Sequence, residues 1–86
     1  MQVDNAAVLR LRVVAEADPG VLVRTLQFFQ ARNIVPGRVS AQRMGAEFLE
    51  IAIEVDATEC SKETFRMVVS KLQELPIIIA ATAVCD

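Results

Sequence analysis

The sequence has no histidine, tryptophan or tyrosine, and its aromatic residues are four phenylalanines. Without histidine the chain lacks the commonest acid–base catalyst and metal ligand. A nucleophile would have to be Cys60, Cys85, Ser40, Ser61 or Ser70, each needing some other base beside it. Cys60 and Cys85 lie too far apart for a CxxC metal or redox motif. Two thiols and no export pattern predict reduced cysteines and a cytoplasmic location. Met44 and Met67 read as packing or surface residues, not soft-metal ligands. No Lys/Arg cluster occurs, and nine basic against eleven acidic residues leave a net charge of −2. Binding of nucleic acid through phosphate neutralisation or base stacking is therefore not expected. No run approaches the roughly 18 apolar residues of a membrane span. The opening MQVDNAAV lacks the basic stretch and apolar core of a secretory signal. Neither a catalytic group, a metal site nor a cofactor is implied.

What the chain does have is apolar content. At 86 residues there is room for one domain, and 53% of them are hydrophobic. A domain this small buries roughly 60–65% of its unfolded surface when it folds alone. An apolar surplus should then remain on the outside, and a second copy of the chain is the simplest cover. A homo-oligomer, dimer or higher, is expected.

The stretch from Val8 to Ile34 organises the rest. Leu9, Leu11, Val13 and Ala15 alternate with Arg10, Arg12 and Val14, the period of two of a half-buried strand. The period then changes. Leu22, Leu26 and Phe29 recur at helical spacing, with Val21, Thr25 and Phe28 widening the stripe over a helix of about 21–32. Between the two lies Asp18-Pro19-Gly20, a helix start with Asp18 as the expected N-cap and Pro19 at the first helical position. Gly20 leaves the backbone bare for close approach. Free N–H groups and the positive helix end favour a carboxylate or phosphate there, so this corner is the candidate binding site. An Asp18 turned outward would instead meet an ammonium group. The competing reading is a well-made helix start and nothing more.

Residues 1–7 read as a loose lead-in. Asn33 is expected to take the left-handed position that ends the first helix. The next extended segment, about 34–43, carries Pro36 and Gly37, which favours an edge strand. Met44-Gly45-Ala46 supplies a hairpin turn, and a third strand follows over about 47–55 with Leu49, Ile51, Ile53 and Val55 on one face. Ser61 is the expected cap of a second helix over about 62–75, whose apolar face is Phe65, Val68, Val69, Leu72 and Leu75. Pro76 stops it, and about 77–84 forms a last strand. The order β-α-β-β-α-β predicts an α+β, ferredoxin-like sandwich, a four-stranded antiparallel sheet with both helices on one face. First and third strands would then be central neighbours, with Arg10 and Arg12 sharing the open face with Glu50 and Glu54. Acylphosphatase-like enzymes and copper chaperones share this plan. Their opening loops need an Arg/Asn phosphate cradle or a CxxC, where this chain has Glu-Ala-Asp-Pro-Gly.

The Asp18-Pro19-Gly20-Val21-Leu22 corner, the Asn33-Ile34 opening of the second extended segment and the element order together resemble an ACT domain over about 8–84. The resemblance implies a regulatory module that binds a small molecule, often an amino acid, at an interface between paired domains. It implies ligand contacts at Asp18, Pro19, Gly20, Val21 and Leu22, with Asn33 and Ile34 where a partner domain closes the site. The chain is also similar to the short, free-standing ACT proteins that serve as small subunits of acetolactate synthase. That likeness implies an alternative role, a non-catalytic subunit docking on a biosynthetic enzyme.

Overall fold

A computed structural model describes residues 8–84. The lead-in at residues 1–7 and Cys85 lie outside that range. The elements run β1 (Val8–Glu16), α1 (Val21–Gln30), β2 (Arg38–Met44), β3 (Phe48–Asp56), α2 (Lys62–Gln73) and β4 (Ile78–Ala83). The four strands form one antiparallel sheet in the order β2-β3-β1-β4, with both helices on one face, as the element order predicts.

The alternation in β1 and β3 does what period two requires. Leu9, Leu11, Val13 and Ala15 are buried against Ile51, Ile53 and Val55, while Leu49 at the start of β3 is only half-buried. Their polar neighbours fall on the open face. There Arg10 Nε lies 3.3 Å from Glu54 and Arg12 Nε 3.2 Å from Glu50. The first pair is directly cross-strand, and the second is diagonal because Arg12 opposes Ala52. Both are exposed, so each contributes only about 0–1 kcal/mol.

Helix α2 follows its sequence closely. The Ser61 hydroxyl accepts from Thr64 N–H at 3.1 Å as the N-cap. Phe65, Val68, Val69 and Leu72 are buried, and the helix stops at Gln73, two residues short of the expected end. Helix α1 departs from expectation in two ways. Its buried positions are Val21, Thr25 and Phe29, whereas Leu22, Leu26 and Phe28 are half-buried flanks. Phe29 is thus the core member of the Phe28–Phe29 pair, tilted at 52° against Phe65 with centroids 6.5 Å apart. Thr25 is tolerated in the core because its hydroxyl donates to the Val21 carbonyl at 2.9 Å. The helix also ends earlier than expected, at Gln30. Asn33 takes the left-handed position at φ 58°. Ile34 N–H then bonds the Phe29 carbonyl and Asn33 N–H the Gln30 carbonyl, both at 3.0 Å, which is a Schellman closure with Ile34 buried beneath it.

Strand β2 is where the roof is missing. Val39, Ala41 and Arg43 oppose Ile53, Ile51 and Leu49 and so point to the helix side. Yet every residue of β2 is exposed, Val39 by 39%. Its outer edge has no strand partner among the described residues. A valley therefore runs between α1 and β2, with its apolar floor uncovered.

Candidate functional site

The corner that joins β1 to α1 closes one end of that valley. The last residues of β1 are held from both sides: Glu16 N–H donates to the Ile77 carbonyl at 3.0 Å and Ala17 N–H to the Glu47 carbonyl at 2.9 Å. The chain must then turn sharply into the helix. Asp18 makes the turn, but not as the helix N-cap. The N-cap is Gly20, without a side-chain cap bond, and the helix starts at Val21. The Asp18 carboxylate accepts from Gly20 N–H at 2.7 Å, an Asx turn two residues upstream of the helix. Pro19 accordingly precedes the helix and does not open it. The Asp18 carbonyl accepts from Val21 N–H at 3.1 Å.

The amides of Gly20 and Val21, at the corner expected to offer free N–H groups, are therefore held by the chain itself. Leu22 and Val23 N–H have no acceptor among the described residues. Gly20 has φ −91° and ψ −4°, a backbone any residue adopts, so its conformation does not demand glycine. Val21 is fully buried in the core and meets no crevice with its side chain.

What opens at this end is a crevice of about 330 Å³ lined by Ala17, Asp18, Pro19, Leu22, Ala41, Arg43 and Leu49. Its walls come from the corner, from α1 and from the helix-side face of β2 and β3. Most of the lining is apolar, and two opposite charges, Asp18 and Arg43, stand over it. They form no ion pair with each other. Arg43 is anchored instead by a 2.9 Å bond from Nη2 to the Ala46 carbonyl across the hairpin turn. Gly45 at the head of that turn has φ 69°, the left-handed conformation glycine adopts without cost. One Asp18 oxygen is engaged with Gly20, and the other has no hydrogen-bond partner among the described residues.

Of the residues singled out from the sequence, Asp18, Pro19 and Leu22 line this crevice. Gly20 and Val21 lie behind it. Asn33 and Ile34 are elsewhere, at the far end of α1. They belong to a second depression of about 460 Å³ with Leu26, Gln30, Val35, Pro36 and Val39. Within one chain the two groups form separate hollows at either end of the valley. Ala17, Ala41, Arg43 and Leu49 complete the lining, and none of them is among the residues singled out from the sequence. The alternation of Val39, Ala41 and Arg43 along an edge strand is the signal that could have found Ala41 and Arg43.

Other chemistry is sparse. Among the described residues, no group of three or more His, Cys, Asp or Glu is placed to hold a metal. No helix among the described residues is long and apolar enough to cross a membrane. Cys60 is buried and free; its thiol donates to the Ser61 carbonyl at 3.3 Å, and burial pushes its pKa up, away from the reactive thiolate. Asp56 is held below the usual carboxylate range by the Thr58 N–H and then by the Thr58 hydroxyl, each at 2.9 Å. Both features belong to the β3–α2 connection and lie outside the valley.

Comparison with known proteins places this architecture. The C-terminal domain of the MgtC protein from Mycobacterium tuberculosis superposes with a TM-score of 0.75 at 12% identity, covering 100% of this chain and 94% of that one. The ACT domain of GTP pyrophosphokinase from Chlorobium tepidum gives 0.74 at 8% identity, covering 91% and 97%. The ligand-free regulatory subunit of aspartate kinase from Thermus thermophilus gives 0.68 at 16% identity; this chain is 95% covered but spans only 52% of that one. At such identities these likenesses establish the fold alone. A search of curated proteins returned no match, and the likeness to acetolactate synthase small subunits gains no support from these relatives. The family model described as an ACT-like domain matches residues 2–84, nearly the entire sequence. The chain therefore belongs to the ACT-like domain family, whose members are regulatory, small-molecule-binding modules.

Proposed function

We propose that this domain senses an amino acid, or a closely related zwitterionic metabolite, in the crevice between the β1–α1 corner and β2, and that a second copy of the chain closes the site. The observation that carries the reading is the charge pattern of the crevice. Asp18 and Arg43 stand unpaired with each other over an apolar lining of Ala17, Pro19, Leu22, Ala41 and Leu49. An α-amino acid is the complementary object. Its carboxylate meets the Arg43 guanidinium, a planar fork suited to carboxylates. Its ammonium meets the free Asp18 oxygen, and its side chain covers the apolar wall. The unpartnered N–H groups of Leu22 and Val23 add the positive end of α1, a second attraction for the ligand carboxylate.

The crevice is open on its β2 side, where Ala41 and Arg43 are exposed along an edge with no partner strand among the described residues. A second chain paired along β2 would supply the missing wall. It would also cover Val35 and Val39, which are 73% and 39% exposed. In such a pair, the Asn33–Ile34 hollow of one copy would face the partner beside the corner crevice, in keeping with both motifs serving one interface.

The test is a titration of the twenty common amino acids followed by amide NMR. Saturable shifts at Ala17–Leu22 and at Ala41–Arg43 are expected for one side-chain class, and Arg43→Gln should weaken them about tenfold or more, the loss of one charge-assisted bond. Absence of any saturable shift in these two segments refutes sensing at this site.

A further inference from the structure

The opposite flank of α1 carries a second cleft, between α1 and α2, with a different character. Its lining is Arg24, Gln27, Phe28, Ala31, Arg32 and Lys71, around a volume of about 410 Å³. Three of the six are cations and none is an acid. In a chain with nine basic and eleven acidic residues, this concentrates a third of the positive charge in one depression. The ion pairs of the described residues, Arg10–Glu54 and Arg12–Glu50, lie on the open face of the sheet, and none involves Arg24, Arg32 or Lys71. Three like charges lining one cleft with no ion-pair partner among the described residues raise its positive potential, which an anion relieves.

We propose that this cleft binds a multiply phosphorylated small molecule. Arg32 is half-buried and fixed. Its Nη1 donates to the Phe28 carbonyl at 3.0 Å and its Nη2 approaches Met67 Sδ at 3.9 Å. Those contacts hold the guanidinium at the cleft while using only part of its five-donor fork. Arg24 and Lys71 are exposed and face the same space from the two helices. The two helices run antiparallel, with Phe29 at the end of α1 against Phe65 at the start of α2. Their terminal partial charges of about ±0.5 are therefore opposed at each end of the cleft and leave the three formal positive charges dominant. A single carboxylate would satisfy one of these cations; a chain of phosphates matches all three. Phe28 is the half-buried apolar member of the lining, a surface that a ring attached to the phosphates would cover.

The experiment is an amide NMR titration of the full chain with sodium tripolyphosphate, repeated with a nucleoside triphosphate at the same ionic strength. Saturable shifts confined to Arg24, Gln27, Phe28, Ala31, Arg32 and Lys71 are expected. The double variant Arg24→Gln/Lys71→Gln should bind about a hundredfold more weakly, roughly tenfold per cation removed. Both side chains are exposed, so its thermal midpoint should stay that of the parent. Asp18→Asn should leave this binding unchanged, which separates it from the amino-acid site. Equal binding of the two probes assigns the site to the phosphate chain. Tighter nucleotide binding that Phe28→Leu returns to the tripolyphosphate level assigns the ring to Phe28. Equal shifts at Arg10, Arg12 and Arg38, undiminished in the double variant, would overturn the proposal, as would no saturable shift.

Discussion

Replacing Asp18 by alanine tests both the local structure and the proposed chemistry of the corner. The Asp18 carboxylate accepts from Gly20 N–H at 2.7 Å, and the Asp18 carbonyl accepts from Val21 N–H at 3.1 Å. The substitution removes the first bond and leaves the second. Losing a side-chain hydrogen bond to a turn amide costs about 1 kcal/mol. In a domain of this size 1 kcal/mol moves the thermal midpoint by about 4–8 °C. Asp18→Asn keeps an acceptor oxygen in the same place, so its cost should be a few tenths of a kcal/mol. Circular dichroism melts of the three proteins measure the stability series, and amino-acid titration of Asp18→Asn measures the site. Asn should be nearly as stable as the parent yet lose binding, because it cannot offer a charge to an ammonium group. An alanine variant that melts with the parent refutes the turn. An asparagine variant that costs as much as alanine refutes the claim that the acceptor, and not the charge, holds the corner.

Three further outcomes follow from the same geometry. Thr25→Val exchanges a hydroxyl bonded at 2.9 Å to Val21 for a buried methyl. A hydrogen bond contributes about 1 kcal/mol and a buried methyl about 0.8, so denaturant titration should find the two proteins matched within about 1 kcal/mol, while Thr25→Ser loses the existing methyl and is the less stable. The Asp56 pKa is lowered by folding, so its contribution is present above the ordinary aspartate range and is lost as pH falls through the lowered value. The stability gap between the parent and Asp56→Ala should therefore close in acid, as read from melts at a series of pH values. The Cys60 thiol, buried and with its pKa raised, should react with a thiol reagent far more slowly in the native protein than in denaturant. In a Cys85→Ser background, equal rates would contradict that burial.

Strands β1 and β3 and helix α2 were legible because each presents one apolar face at a single clean period. Ile51, Ile53 and Val55 are buried as their alternation requires, and Phe65, Val68, Val69 and Leu72 mark one side of a helix opened by a serine cap. Helix α1 was less legible because Val21, Leu22, Leu26, Phe28 and Phe29 spread over a wide arc. The centre of that arc falls on Thr25, a polar residue that qualifies for the core only once its hydroxyl is seen bonded to Val21. Asp18 reads from the sequence as the N-cap of α1 and makes an Asx turn instead, because the two motifs use the same side chain. Two residues of backbone conformation separate them. The crevice was half legible. Its corner wall is contiguous in sequence, whereas Ala41, Arg43 and Leu49 reach it only through the β2–β3 register and because α1 leaves β2 unroofed. An arginine on an exposed edge strand reads as a solvated charge until its neighbours are known. The cation cleft was hidden for a similar reason, since Arg24, Arg32 and Lys71 are scattered in sequence and meet only across two packed helices.

The central claim is that the corner crevice is a metabolite site completed by a second chain along β2. Sedimentation velocity at micromolar concentration, comparing the parent with Val39→Asp in the presence of the bound amino acid, tests it most directly. Val39 is 39% exposed, so the substitution disturbs the edge without disturbing the core. The account predicts a dimer for the parent, and for Val39→Asp a folded monomer that no longer holds the ligand. A parent that sediments as a monomer while still binding, or a Val39→Asp variant that dimerises as before, would contradict it.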